Sequence, residues 1–179
     1  MKSVAESKKS ENIAEYIVYM YQMEDLIRSY QGNMTEINEF VVKKYPVDEA
    51  EKKEIFSWFL NLVGQMEDQG IMKKGHLNSL NELVEKLATI HWDMLKKDSG
   101  YFKIYNSAKP HIIQSVMEAE GQNLGNEIQI CLNGVYGLLL CRLLGKKVTD
   151  EQLESAKAFG EVLSMLSYYY RVGDSLPEN

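Results

Sequence analysis

The chain has 179 residues, of which 45% are hydrophobic and 26% charged, and a formal net charge of −6. That length and balance fit one globular domain burying roughly 70% of its unfolded surface, which needs neither a disulfide nor a metal for stability. The basic residues come in scattered pairs (Lys8-Lys9, Lys43-Lys44, Lys96-Lys97, Lys146-Lys147) rather than the clusters that neutralise phosphates, so no nucleic-acid partner is expected.

Residues 1–12 are polar and carry no apolar core of a secretory signal; residues 1–9 are expected to be a flexible terminus. Ser10 reads as the N-cap of a first helix running to about Tyr30. Ile13, Ile17, Met20 and Ile27 recur along it at helical spacing, and Ala14, Val18, Tyr21, Met23 and Leu26 make much of the remaining surface apolar. A helix apolar on so many sides is expected to be surrounded by neighbours. Glu24 and Arg28 stand at i and i+4 in the order that suits an exposed ion pair, and the surface is where they are expected.

A short helix is predicted over residues 35–44, with Ile37, Phe40 and Val41 facing inward and Pro46 stopping it. Asp48 and Glu51 have capping-box spacing for the next helix, whose stripe is Ile55, Phe59, Leu62 and Met66. Gly70 followed by apolar Ile71 reads as a Schellman end. Ser79 and Glu82 repeat the capping-box spacing before a stripe of Leu80, Val84, Leu87 and Met94, a face that His91 shares. Tyr101, Ile104, Ala108, Ile112 and Val116 are in helical register, but the residue before a proline avoids the α region, so a break is expected at Pro110.

Residues 121–126 are turn-rich, and residues 127–144 then leave almost no polar face. They are assigned as the central core helix. Gly134, Gly137 and Cys141 set small residues along one of its sides, where another backbone can approach. Arg142 stands among leucines near the C-terminal end, and is expected to snorkel to solvent or pair with an acid. Thr149 and Gln152 give another capping box for a last helix carrying Leu153, Ala156, Val162, Leu163, Leu166 and Tyr170; residues 173–179 are expected to be a flexible tail.

No stretch alternates apolar and polar residues over a strand's length. The fold class expected is all-α, a single-domain antiparallel bundle or array of about six or seven helices around one central apolar helix. No apolar run approaches the ~20 residues that span a bilayer, so no membrane association is expected and the cytoplasm is the expected compartment. Cys131 and Cys141, on one helix, would stand about 15 Å apart, too far to bridge.

Catalytic signatures are missing: there is no Gly-rich phosphate loop, HExxH, nucleophile elbow or CxxC pair. His76, His91 and His111 lie on different segments without Glu-x-x-His pairing, so no metal or other cofactor is expected. His91 reads as a partly buried, hydrogen-bonded structural histidine, and His76 and His111 as solvent or capping residues. The run Tyr168-Tyr169-Tyr170 cannot all face a core, because consecutive helical residues point about 100° apart, and tyrosine is favoured at protein interfaces.

Three segments carry a resemblance. Residues 12–28, Lys74-Gly75-His76-Leu77 and residues 135–142 (Val-Tyr-Gly-Leu-Leu-Leu-Cys-Arg) are similar, in order and spacing, to a family of bacterial proteins from gut anaerobes known as a domain of unknown function. The resemblance covers nearly the whole chain. It implies an all-helical fold and carries over no activity and no site residue.

The function expected from the residues is a non-enzymatic helical interaction module that self-associates as a homo-oligomer. The alternative is a helical bundle that binds a small ligand, with or without acting on it as an enzyme. Its polar pocket would lie between the first helix and the central helix, around Tyr19, Gln22, His91 and Arg142.

Overall fold

Local capping chemistry sets most of the helix boundaries in the computed structural model, which describes residues 1–174. Among the described residues there are eight α-helices, one 3-10 turn and no strand. The helices are α1 (Lys2–Glu11), α2 (Ile13–Ser29), α3 (Met34–Phe40), α4 (Glu49–Asp68), α5 (Asn78–Lys97), α6 (Ser99–Glu118), α7 (Glu127–Leu143) and α8 (Asp150–Asp174); the 3-10 turn is Val42–Lys44. No helix among them is long and apolar enough to cross a membrane.

The first residues differ from expectation. Instead of a tail they form α1, which buries Met1 and Ala5 against α2 and α4. Asn12, not Ser10, caps α2: its side chain accepts the Glu15 amide at 3.2 Å, while Ser10 Oγ turns back to the Ser7 carbonyl. The Tyr19 hydroxyl donates to the Met1 carbonyl at 3.3 Å and ties the two helices together. Of the predicted tail, Gly173 and Asp174 belong to α8; residues 175–179, with Pro177, lie outside the described residues.

The predicted caps of α4 and α8 form. Asp48 accepts the Glu51 amide at 2.8 Å. At the C-terminal end of α4, Gly70 takes a φ of 66° and the Ile71 amide reaches the Met66 carbonyl at 2.9 Å, the long bond of a Schellman end. Thr149 and Gln152 complete a reciprocal capping box at 3.0 and 3.2 Å. The Ser79–Glu82 box does not form. Leu77 is the N-cap of α5, and Gln69 Oε1 accepts the Asn78 amide at 2.8 Å in its place.

Two packing expectations are corrected. The short helix ends at Phe40, whose ring is 59% exposed, and Val42 enters the core instead. The 3-10 turn that follows α3 changes the angular step per residue, so the register read from a 3.6-residue period does not carry through it. Pro110 does not break its segment, since α6 runs continuously through it. Asn106, whose carbonyl loses its amide partner, and Pro110 itself both lie on the exposed side of α6, where water can satisfy the freed oxygen.

A single hydrophobic cluster reaches from Ala5 in α1 to Leu166 in α8. Ile17, Ile27, Ile37, Phe59, Leu87 and Tyr101 are among its most deeply buried members, all at 0% exposure. α7 enters this core only with its first half, where Ile128, Ile130, Cys131 and Leu132 are buried. On the side expected to admit another backbone, a side chain comes close instead: a Cβ at Gly134 would sit 2.5 Å from the Phe159 ring of α8. Beyond that point α7 climbs out of the core. Residues 134–141 are half-buried, and Leu143 and Leu144 are each 65% exposed. Composition states what a face could bury, not what covers it.

Candidate functional site

The outgoing half of α7 forms a ridge between two grooves. On one side, a groove of about 500 Å³ runs between α6 and α8, with Gly137, Leu138 and Phe159 among its floor residues and Glu118 and Glu151 at its edge. On the other, a groove of about 350 Å³ lies between α2, α7 and α8 and is lined by Tyr19, Gln22, Val135 and Leu139. The ridge carries Leu140, Leu143 and Leu144, and a Cβ placed at Gly137 would meet nothing within 4 Å.

Of the four residues expected to share a polar pocket, Tyr19 and Gln22 line this second, mainly apolar groove, between α2 and α7. His91 and Arg142 are not among its lining residues. Arg142 is exposed near the end of α7, in the solvent-facing position that its long stem permits. His91 is buried on α5, inside a different cluster. Its Nδ1 meets the Tyr101 hydroxyl at 2.6 Å and its Nε2 the Glu127 carboxylate at 3.1 Å. With Tyr101 donating to Nδ1, the Nε2–H tautomer satisfies both contacts. Burial pushes the His91 imidazolium below its ordinary range, against the opposing pull of Glu127. Burial raises the Cys131 thiol beside this cluster, so it stays protonated as a small apolar residue. Tyr105 donates to the other oxygen of Glu127 at 3.1 Å, so the network is closed on itself.

A second polar cluster was not anticipated from the residues. Glu24, expected on the surface, is 1% exposed. His76 Nδ1 lies 2.6 Å from Glu24 Oε2, and the Leu77 amide donates to Oε1 at 2.9 Å. The Tyr21 ring stacks on the imidazole, centroids 3.6 Å apart. Arg28 reaches across the same gap. It pairs with Asp25 at 2.8 Å and donates to the carbonyls of Ile71 and Gly75, while Glu24 stands 4.0 Å away. Gly75 holds a φ of 98°, in the left-handed region that a side chain would strain. From α7 the Tyr136 hydroxyl donates to Asp25 at 2.6 Å; burial and that carboxylate raise the phenol well above its usual range.

Residues 2–175 match the model of a family described as a domain of unknown function, DUF4924. The chain belongs to this family. Comparison with curated proteins and with solved structures finds no match.

The three segments that carried the family resemblance thus meet in space. Glu24, Asp25 and Arg28 come from the first, Gly75, His76 and Leu77 from the second, and Tyr136 from the third. In this DUF4924 chain they clamp the loop between α4 and α5 onto α2 and tie α7 to the same helix. Glu24 is the member of this cluster that the sequence pattern marks. It falls in the register of Ile13, Ile17, Met20 and Ile27, so the apolar stripe itself marked it as buried. His76 had no such signal, because its partner is distant in sequence and its segment is a loop. Among the described residues, no three His, Cys, Asp or Glu side chains are grouped to hold a metal ion.

Proposed function

We propose that this DUF4924 chain is a helical interaction module that self-associates through the outgoing half of α7. The observation that carries the reading is the disparity within one helix. α7 is apolar along its whole length, yet Leu143 and Leu144 are 65% exposed and Gly137 faces open space. Exposed leucines on a soluble surface are common singly, but a continuous apolar ridge flanked by grooves is the kind of surface that marks an interface. The polar clusters add to this reading. Each closes on partners within the chain and leaves no buried side-chain polar atom unsatisfied among the described residues, as suits a rigid scaffold presenting a surface. The tyrosine run contributes little to it. Tyr169 is held by Asp98, and the Tyr170 ring lies under Lys86.

Light scattering coupled to size exclusion tests the proposal. The wild-type chain is expected to run as a dimer, and the double variant Leu143→Glu, Leu144→Glu as a folded monomer, because both side chains are already largely in solvent. A wild-type chain that stays monomeric at every practical concentration defeats the reading.

A further inference from the structure

The ridge alone is too small. A stable association buries on the order of 800 Å² on each partner, and three leucines on one helix fall well short of that. The groove between α6 and α8 borders the ridge along α7; it sets Gly137, Leu138 and Phe159 among polar side chains such as His111, Gln114 and Ser155, and it has an acidic edge. Glu118 and Glu151 accept from Gln114 Nε2, at 2.9 and 2.7 Å. Neither pairs with a cation among the described residues. At the end of α7, directly after Leu143 and Leu144, stand Lys146 and Lys147, both exposed and both without an acidic partner among the described residues. Gly145, at a φ of 63°, and the 2.8 Å bond from the Lys146 amide to the Cys141 carbonyl turn this pair off the helix in a fixed direction.

The molecule therefore carries, side by side, a mixed polar and apolar groove edged with acids that pair with no cation among the described residues, and an apolar segment ending in lysines that pair with no acid among them. We infer that the two are complements, and that residues 143–147 of each copy dock into the groove between α6 and α8 of a second copy. The inference rests on the self-association proposed above and names its partner surface. In this exchange Leu143 and Leu144 of the two copies meet one another at the mouth of the groove, and Lys146 and Lys147 meet Glu118 and Glu151.

The register allows it. α7 and α8 are antiparallel neighbours with Phe159 opposite Gly134, so Glu151, about two turns earlier on α8, stands at the level of Arg142. If two α7 helices cross antiparallel near Leu144, the lysine pair of each arrives at that same level on the other. The arrangement is isologous and closes on itself as a two-fold dimer, leaving no unmatched half to propagate.

Sedimentation velocity on charge-reversed chains tests the exchange. Glu118→Lys with Glu151→Lys, and separately Lys146→Glu with Lys147→Glu, are each expected to weaken dimerisation at least about tenfold, since like charges then face each other. An equimolar mixture of the two variants is expected to recover a heterodimer of near wild-type affinity, because both docked segments are matched again. That recovery also establishes that the variants fold. If both variants dimerise as the wild type does while the Leu143→Glu, Leu144→Glu chain is monomeric, the exchange is wrong and self-association survives. If the mixture fails to recover, the pairing is wrong. If the wild type is a monomer throughout, both ideas fall together.

Discussion

A carboxylate as deeply buried as Glu24 persists only where several donors converge on it, because moving a charge out of water costs several kcal/mol. Here the His76 ring, the Leu77 amide and the nearby Arg28 guanidinium supply that compensation. The same groups define the path of the loop between α4 and α5, so the residue couples a local charge balance to a long-range contact. Truncation to alanine removes the acceptor and leaves Arg28 and His76 facing a void. Glu24→Ala is expected to lower the unfolding free energy by about 3–5 kcal/mol, measured by urea titration. Glu24→Gln keeps an acceptor for the Leu77 amide and is expected to lose less. A loss below ~1 kcal/mol for the alanine variant would show that the clamp does not hold the loop. Half of this cluster was readable in advance, since Glu24 occupies a core phase of its helix, and half was not. Tyr136 and His76 are joined to α2 by contacts that no local pattern records.

At the scale of elements, most ends were readable because caps are local. Asp48, Asn126 and Thr149 each satisfy an amide within three residues along the chain. The departures have equally local causes. α1 carries no sequence signal of its own, because its ten residues offer little but Val4 and Ala5 to bury, and its packing comes from α2 and α4 rather than from its own stripe. At Pro110 a real preference was overridden, since the hydrophobic register on both sides of the proline outweighed its local cost. That cost should be recoverable. Proline inside a helix is disfavoured by about 3 kcal/mol, offset by roughly 1 kcal/mol for its restriction of the unfolded chain. Pro110→Ala, at an exposed position, is expected to stabilise the chain by about 2 kcal/mol and to raise the thermal midpoint. A neutral or lower midpoint would mean that the proline is not strained within α6.

For the whole molecule, one core cluster includes residues of all eight helices, so unfolding and association share a single free-energy balance. A surface that is covered only in the dimer stabilises the native state by mass action, through a partner that binds the folded chain and not the unfolded one. The composition of α7 foretold an apolar helix, and the fold then placed half of it outside the core; that position depends on where α2, α5, α6 and α8 end, which no property of α7 alone contains. The thermal midpoint reads this directly. For the wild-type chain it is expected to rise with protein concentration, and for the Leu143→Glu, Leu144→Glu variant to stay constant over the same range. Differential scanning calorimetry across a hundredfold concentration series separates the cases. A wild-type midpoint independent of concentration would place the exposed leucines among ordinary solvent-facing side chains and remove the thermodynamic basis for treating the ridge as an interface.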